Sequence, residues 1–161
     1  MPELEFHLTD DNGRPVTAQS YRGDVVLLYF GYTHCPDVCP TTLALLSQAI
    51  KGLGPQAGRV CVLFLTVDPR RDTAAVLKRY VGFFGPQFVG LRGDDEQLLS
   101  VTRRYHASFK LDPPDRDGNY AVDHSSAVYV FDPKGRARLI ADPEDQPKVI
   151  THDLRALIAA T

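Results

Sequence analysis

The chain has 161 residues, of which 43% are hydrophobic and 24% charged, so it can bury a sizeable core without a disulfide or a metal. Its 18 lysines and arginines against 20 aspartates and glutamates give a formal net charge of −2, which excludes a strongly basic nucleic-acid-binding surface. We therefore expect one domain over residues 1–161 and no nucleic acid among its partners.

The first half of the chain alternates between strand and helix patterns. Residues 4–8 alternate apolar and polar side chains, and the turn at 10–13 returns the chain toward Ala18, which predicts a hairpin. Val25 to Phe30 and Val60 to Val67 are apolar without alternation, which indicates strands covered on both faces. Both runs are far shorter than the roughly 18 residues of a membrane-spanning helix. Between them, helical spacing predicts a helix with the apolar positions Leu43, Leu46, Ile50 and Leu53.

The next segment continues the alternation. Apolar spacing predicts a helix from Thr73 to Phe84, with Asp72 or Thr73 as its N-cap. A short strand from Phe88 to Leu91 follows, and then a helix from Glu96 to Tyr105. Each predicted helix has one apolar face, which is typical of helices that pack against a sheet.

The last third of the chain begins with a polar segment, Lys110 to Asp123, which we interpret as an excursion or short hairpin outside the core. Ala127 to Phe131 and Ala137 to Ala141 predict a second hairpin, and Pro147 opens a final amphipathic helix. The sum of these elements predicts an α/β fold with a central mixed sheet flanked by helices.

Two cysteines lie in the turn between a buried strand and a helix, where α/β proteins concentrate their chemistry. We expect the regular helix to start at Pro40, with Cys39 as its cap, because proline suits a first helical position. The positive end of a helix stabilises a thiolate and lowers a cysteine pKa. Cys35 and Cys39 are therefore candidate nucleophiles or metal ligands, whereas Cys61, inside an apolar strand, is interpreted as an inert core residue.

The spacing of the two cysteines leaves their chemistry open. If residues 35–39 form one irregular helical turn, the two Cα atoms lie roughly 6 Å apart. That separation falls within the disulfide range of about 4.4 to 6.8 Å, and it also lets two thiolates bind one metal ion. Spacing alone thus permits either a redox pair or a metal site.

The segment Phe30 to Pro40, FGYTHCPDVCP, resembles the copper-site motif of the Sco/SenC family, whose members assemble the CuA centre of cytochrome c oxidase. Further matches are Val67 to Thr73, Tyr80 to Gly93, and Asp123 to Ser126 followed by the turn at 132–135. The resemblance covers nearly the whole chain. It implies a thioredoxin-like fold with an added N-terminal β-hairpin and an insertion before the last hairpin.

The resemblance also implies a metal site formed by Cys35, Cys39 and His124. Two thiolates and one imidazole form a soft site of low coordination number, which suits Cu(I) and can also hold Cu(II). A structural zinc site usually has four protein ligands, and the motif supplies no fourth. Copper, as Cu(I) or Cu(II), is therefore the expected metal.

We expect supporting roles for other polar residues near the motif. His34 could act as a transient ligand or a proton carrier, and Asp37 and Asp68 are candidates for the shell around the ligands. Asp68 is alternatively a turn-forming residue before Pro69. The remaining histidines are interpreted as surface residues: His7, His106 and His152.

The resemblance implies a copper-binding metallochaperone that delivers copper to the CuA-bearing subunit of cytochrome c oxidase, or prepares its cysteines, rather than an enzyme. The alternative is a thiol-disulfide oxidoreductase in which Cys35 and Cys39 form a redox pair, although three residues separate them instead of the usual two. A third hypothesis is a copper or redox sensor that signals through residues 110–123. Other expected partners are copper chaperones and thiol reductants.

The resemblance further implies an extracytoplasmic location on the periplasmic side of a membrane, because CuA is built there. The first residues show no signal peptide or lipid-attachment pattern. We therefore expect this chain to contact a membrane only through an anchor upstream of it.

Overall fold

A computed structural model describes residues 1–34, 38–107, 109–111, 122–124, 127–142 and 144–160, with the backbone alone described at 38–39, 109–111 and 122–124. The strands of the central sheet are β1 (His7–Asp10), β2 (Pro15–Thr17), β3 (Val25–Gly31), β4 (Val60–Thr66), β5 (Phe88–Arg92), β8 (Val128–Phe131) and β9 (Ala137–Ala141). A separate two-stranded sheet contains β6 (Phe109–Leu111) and β7 (Val122–His124). The α-helices are α1 (Val38–Lys51), α2 (Ala74–Gly82), α3 (Asp95–Arg104) and α4 (Pro147–Ala159).

The seven strands of the central sheet lie in the order β2-β1-β5-β4-β3-β8-β9. The middle three, β5, β4 and β3, are parallel to one another, and all other pairings are antiparallel. Every residue of β3 and of β4 is buried, as expected for parallel strands covered on both faces. The prediction of an α/β fold with a central mixed sheet is confirmed.

The helices pack their apolar faces on this sheet, and their ends follow from capping chemistry. The Thr73 hydroxyl accepts a hydrogen bond from the backbone N–H of Val76, so Thr73 is the N-cap of α2 and Asp72 is not. In α3, Asp94 and Gln97 form a capping box. No helix in the described part of the chain has the length and apolar character to cross a membrane.

The predicted start of α1 is wrong by two residues. The helix begins at Val38, so Cys39 lies in its first turn and is not the cap. Pro40 is tolerated as the third helical residue because the first four N–H groups of a helix have no intrahelical acceptor. Inside a helix, a proline ring clashes with the carbonyl four residues earlier. For Pro40 that carbonyl belongs to residue 36, which precedes the helix, so no hydrogen bond within the helix is lost.

The three predicted hairpins are present, although the first strand begins at His7 and not at Leu4. β1 pairs with β2, and β8 pairs with β9. The polar segment predicted as a short hairpin outside the core contains β6 and β7, which pair with Phe109 opposite His124. Residues 112–121 between these two strands lie outside the described part.

The turn between β8 and β9 is built around Asp132, whose side chain is 2% exposed. Its Oδ1 accepts hydrogen bonds from the backbone N–H groups of Lys134 (3.0 Å) and Arg136 (2.9 Å), and its Oδ2 accepts from Nε of Arg136 (2.8 Å). Burial acts to raise the pKa of Asp132, but these hydrogen bonds outweigh burial and hold that pKa below its ordinary value.

We predict that Asp132→Asn destabilises the protein by about 1 to 3 kcal/mol near neutral pH, where the wild-type carboxylate accepts charge-assisted hydrogen bonds. Because the folded pKa of Asp132 is lowered, its contribution is fully present above the unfolded pKa of about 3.9 and is lost as the pH falls through the folded value. Urea unfolding of both proteins at about pH 6 and about pH 3 measures this effect. An equal stability difference at both pH values would contradict it.

Candidate functional site

The carboxyl ends of β3 and β4 define one edge of the central sheet. Gly31 and Thr66, the last residues of the two strands, are register partners, and the backbone N–H of Val67 donates to the carbonyl of Gly31 at 2.8 Å. The turn that leaves β3 and the loop that leaves β4 therefore run side by side. The cysteine motif begins in the first of these, and the segment Asp68 to Asp72 forms the second.

Asp72 connects the two segments through its carboxylate. The backbone N–H of Thr33 donates to Oδ2 at 3.0 Å, and the Thr33 hydroxyl donates to Oδ1 at 2.5 Å. The hydroxyl of Thr66, at the end of β4, donates to Oδ2 at 2.6 Å. Asp72 is fully buried, so three donors replace the water that its carboxylate loses on folding. Hydrogen bonds to a charged group contribute about 1.5 to 3 kcal/mol each.

Thr33, His34, Thr66, Asp68 and Asp72 form a polar cluster. The direction of each threonine hydroxyl proton in this cluster follows from the other hydrogen bonds of that hydroxyl. The Thr66 oxygen accepts from the backbone N–H of Asp68 at 3.0 Å, so its proton is free to serve Asp72. Thr33 also directs its single proton at Asp72, which leaves its oxygen as an acceptor for Nδ1 of His34 at 3.3 Å. The half-exposed His34 ring thus lies with Nδ1 toward the cluster, 3.8 Å from Oδ1 of Asp72.

The loop that carries Asp72 is itself held in place from two sides. Nε of Arg71 donates to Oδ2 of Asp68, a residue that is 2% exposed. From β5, Arg92 donates through Nε to the carbonyl of Asp72 at 2.7 Å and through Nη2 to the carbonyl of Pro69 at 2.9 Å. The Asp72 N–H completes the loop by donating to the carbonyl of Asp68 at 3.0 Å. The position of the Asp72 carboxylate is therefore fixed by the sheet.

The sequence-predicted metal ligands are only partly within the described residues. Cys35 and Asp37 lie outside them. The backbone of Cys39 is in the first turn of α1, and the backbone of His124 is the last residue of β7. The ligand set of Cys35, Cys39 and His124 accordingly stays a prediction.

The topology nevertheless brings the two parts of this predicted set to one edge of the sheet. His124 precedes Val128, the first residue of β8, by four residues, and Val128 pairs with Tyr29 near the carboxyl end of β3. Four residues of fully extended chain span at most about 14 Å. The end of β7 is therefore tethered close to the edge from which the cysteine turn leaves β3.

His34, Asp68 and Asp72 offer ligand-type atoms within 4.8 Å of one another. The sequence indicates His34 and Asp68 as possible contributors near the motif, but it indicates Asp72 only as a possible helix cap. It did not identify Thr33 or Thr66 at all. The available signal was a threonine near the end of each of two apolar runs: Thr66 ends β4, and Thr33 lies two residues after β3.

Comparison with known proteins gives a consistent result along the chain. Residues 3–159 match the family model described as SCO1/SenC. The mitochondrial protein SCO2 homolog of Bos taurus is 46% identical over 133 residues, which cover 81% of this chain and 50% of the relative. A SCO2-like protein of Rickettsia felis is 36% identical over 152 residues, which cover 94% of this chain and 74% of the relative. The chain thus spans about half the length of its bovine relative.

Solved structures show the same fold. ScoI of Bradyrhizobium japonicum, determined with copper bound, superposes with a TM-score of 0.88 at 38% identity, covering 98% of this chain and 99% of that one. Yeast Sco1, also determined with copper bound, gives a TM-score of 0.89 at 31% identity, covering 99% of this chain and 90% of that one. The predicted thioredoxin-like fold is confirmed.

The three remaining histidines and the third cysteine lie where the sequence predicts. His7, His106 and His152 are exposed. Cys61 is 7% exposed in β4, and burial, reinforced by the negative charge of Asp24, raises the pKa of its thiol to about 12. Because the thiolate is the reactive form of cysteine, the raised pKa favours the unreactive thiol at Cys61 in the folded protein.

We predict that iodoacetamide at about pH 8 modifies two of the three cysteines of the folded, reduced protein, because a buried thiol with a raised pKa supplies almost no thiolate. Mass spectrometry of peptides should show label at Cys35 and Cys39, with Cys61 labelled only after unfolding in urea. A Cys61→Ala variant should carry the same two native labels. Labelling of Cys61 at equal rates in the folded and unfolded protein would contradict its assignment as a core residue.

Proposed function

Because the chain belongs to the SCO1/SenC family, we propose that it binds copper and delivers it to the CuA-bearing subunit of cytochrome c oxidase. Copper is the cargo in this proposal. The observation that carries it is the cysteine motif at the carboxyl edge of β3, with β7 tethered beside it, in a fold shared with copper-bound proteins of Bradyrhizobium japonicum and yeast.

The proposed copper ligands are the thiolates of Cys35 and Cys39 and the imidazole of His124. Cys39 belongs to the first turn of α1, where the helix dipole favours the thiolate that copper requires. Two soft sulfur ligands favour Cu(I), and the imidazole also allows Cu(II) to be held. Such a donor set matches the chemistry of a copper carrier.

Three ligands leave one side of the ion open to a partner. In the proposed transfer of Cu(I), a thiolate of the recipient forms a bond to copper as one cysteine–copper bond breaks, and further exchanges pass the ion across. Copper keeps its oxidation state and each sulfur keeps its electrons. The exchange therefore needs no oxidant or reductant.

The second candidate function is reduction of a partner disulfide. The Cys35 and Cys39 thiols would form a disulfide, and the two electrons and two protons that they lose would convert the partner disulfide to a dithiol. The position of Cys39 at the start of a helix in a thioredoxin-like fold favours this chemistry as well. Other copper chaperones and thiol reductants are proposed partners, since they would load copper or restore the dithiol.

We further propose that the protein acts on the extracytoplasmic side of a membrane and is tethered there by a segment upstream of this chain. This location follows from the proposed recipient, because the CuA centre is assembled on that side. We retain the proposal that residues 1–161 form one domain.

We predict that His124→Ala weakens binding of Cu(I) because it removes the only nitrogen ligand of the proposed set. The loss should at least match the roughly 10-fold to 100-fold effect of removing a group that supports a metal ligand. Titration against a coloured Cu(I) chelator measures the affinity. His152→Ala, which removes an exposed histidine from α4, is the matched control and should bind as the wild type does. Unchanged affinity in His124→Ala would remove His124 from the ligand set.

The two candidate functions are separated by a transfer assay and a reductase assay. A copper carrier should load an apo CuA domain with reduced cysteines, and the His124→Ala variant should do so poorly. A disulfide reductase should instead reduce the oxidised CuA domain without copper and should be indifferent to His124→Ala. Failure of copper transfer together with copper-independent reduction would replace the first candidate by the second.

A further inference from the structure

We propose that Asp72 is a positioning residue for the cysteine motif, and that through Thr33 it sets both the copper affinity of the site and the balance between the Cys35–Cys39 dithiol and disulfide. The copper part rests on the proposed function. The disulfide part stands without it, because it concerns only the geometry of the two sulfurs.

The contact between Asp72 and Thr33 is a two-point attachment. Both the backbone N–H and the hydroxyl of Thr33 donate to the same carboxylate, at 3.0 and 2.5 Å, so the peptide plane and the side-chain rotamer of Thr33 are fixed together. Thr33 precedes Cys35 by two residues. The direction in which the chain enters the cysteine turn is therefore set by a residue from a different loop.

The carboxylate cannot follow the turn if the turn moves, because it is anchored elsewhere. Thr66, fully buried at the end of β4, donates to it at 2.6 Å. Arg92 on β5 holds the carbonyl of the same residue, and Thr73, the next residue, caps α2. Asp72 thus transmits the positions of β4, β5 and α2 to the start of the motif.

A cation site is the competing interpretation of this cluster, since His34, Asp68 and Asp72 lie within bonding reach of a common point. The hydrogen bonds favour positioning instead. Both oxygens of Asp72 are already occupied by donors from Thr33 and Thr66, and Asp68 accepts from the guanidinium of Arg71. A cation would have to displace these donors, whereas the positioning role uses them as they are.

The chemistry of the motif is sensitive to small displacements of its backbone. A disulfide forms only within a narrow range of Cα separations and loses stability when it is strained. Groups that orient metal ligands without touching the metal typically change affinity by about 10-fold to 100-fold when they are removed. The contact of Asp72 with Thr33, two residues before Cys35, therefore affects both copper binding and disulfide formation.

The test uses two variants and a matched control. Asp72→Asn keeps the shape of the side chain but replaces one acceptor oxygen by a donor group. Thr33→Val removes only the hydroxyl branch and keeps the backbone bond to Asp72. Asp132→Asn is the control, because Asp132 is also buried and its carboxylate also accepts backbone and side-chain hydrogen bonds, but it follows Phe131, which pairs with Val26 at the opposite end of β3.

Three measurements are made on each protein. Urea unfolding reports stability, and competition with a Cu(I) chelator reports copper affinity. Equilibration of the copper-free protein with glutathione reports the reaction in which the Cys35–Cys39 disulfide and two glutathione thiols give the dithiol and one glutathione disulfide. We expect Asp72→Asn and Thr33→Val to lower copper affinity about 10-fold or more and to shift the glutathione equilibrium constant about tenfold, equal to about 30 mV. Asp132→Asn should lose stability without either change.

The proposal is overturned if Asp72→Asn loses stability as Asp132→Asn does while its copper affinity and glutathione equilibrium stay within about twofold of the wild type. If Asp72→Asn does not fold, Thr33→Val decides alone by the same criterion. Failure of the wild type to bind copper would count against the proposed function only, because the glutathione equilibrium still tests the role of Asp72.

Discussion

The parallel pairing of β3 with β4 is the constraint on which the site depends. The two strands pair over seven residues, from Val25 with Val60 to Gly31 with Thr66, and every residue in them is buried. A shift by one residue would turn each side chain to the opposite face of the sheet, so the register is strongly specified. This register brings the turn that leaves β3 and the loop that leaves β4 to the same edge. The bonds between Thr33 and Asp72 are possible only because of it.

Buried polar side chains lie at this same edge, at the carboxyl end of β4. Thr66 ends the otherwise apolar strand β4, and Asp68 and Asp72 lie in the loop that follows it; all three are buried. Each of their polar atoms described above has a partner, which limits the desolvation cost of burying a carboxylate. The same strand illustrates the opposite environment at its other end, where Cys61 has its pKa raised by burial. Position along β4 thus separates the buried thiol of Cys61 from the polar edge beside the cysteine motif.

Local sequence patterns predict the helices and strands, but they do not predict the polar cluster around Asp72. The apolar runs of β3 and β4 and the turn residues of the hairpins predict their structures because each signal is contained in a few neighbouring residues. The contact of Thr33 with Asp72 spans 39 residues, and no local pattern encodes it. The local pattern indicates only that Asp72 or Thr73 caps α2, and in the structure Thr73 is the cap. The start of α1 was misplaced because Pro40 is compatible with more than one position in the first turn. His124 became a candidate ligand only through the family resemblance, since a single distant histidine carries no signal of its own.

The proposed ligands come from two parts of the fold that are held by different means. The cysteine turn leaves the central sheet beside a carboxylate that is fixed by β4, β5 and α2. His124 belongs to β7, which among the described strands pairs only with β6 in a separate sheet. Register therefore fixes the start of the cysteine turn, whereas a short connection to β8 limits how far the backbone of His124 can lie from that edge. In the proposed carrier, which must hold an ion and then release it, this division would let the imidazole leave the ion without any change in the strand pairing that positions the cysteine turn.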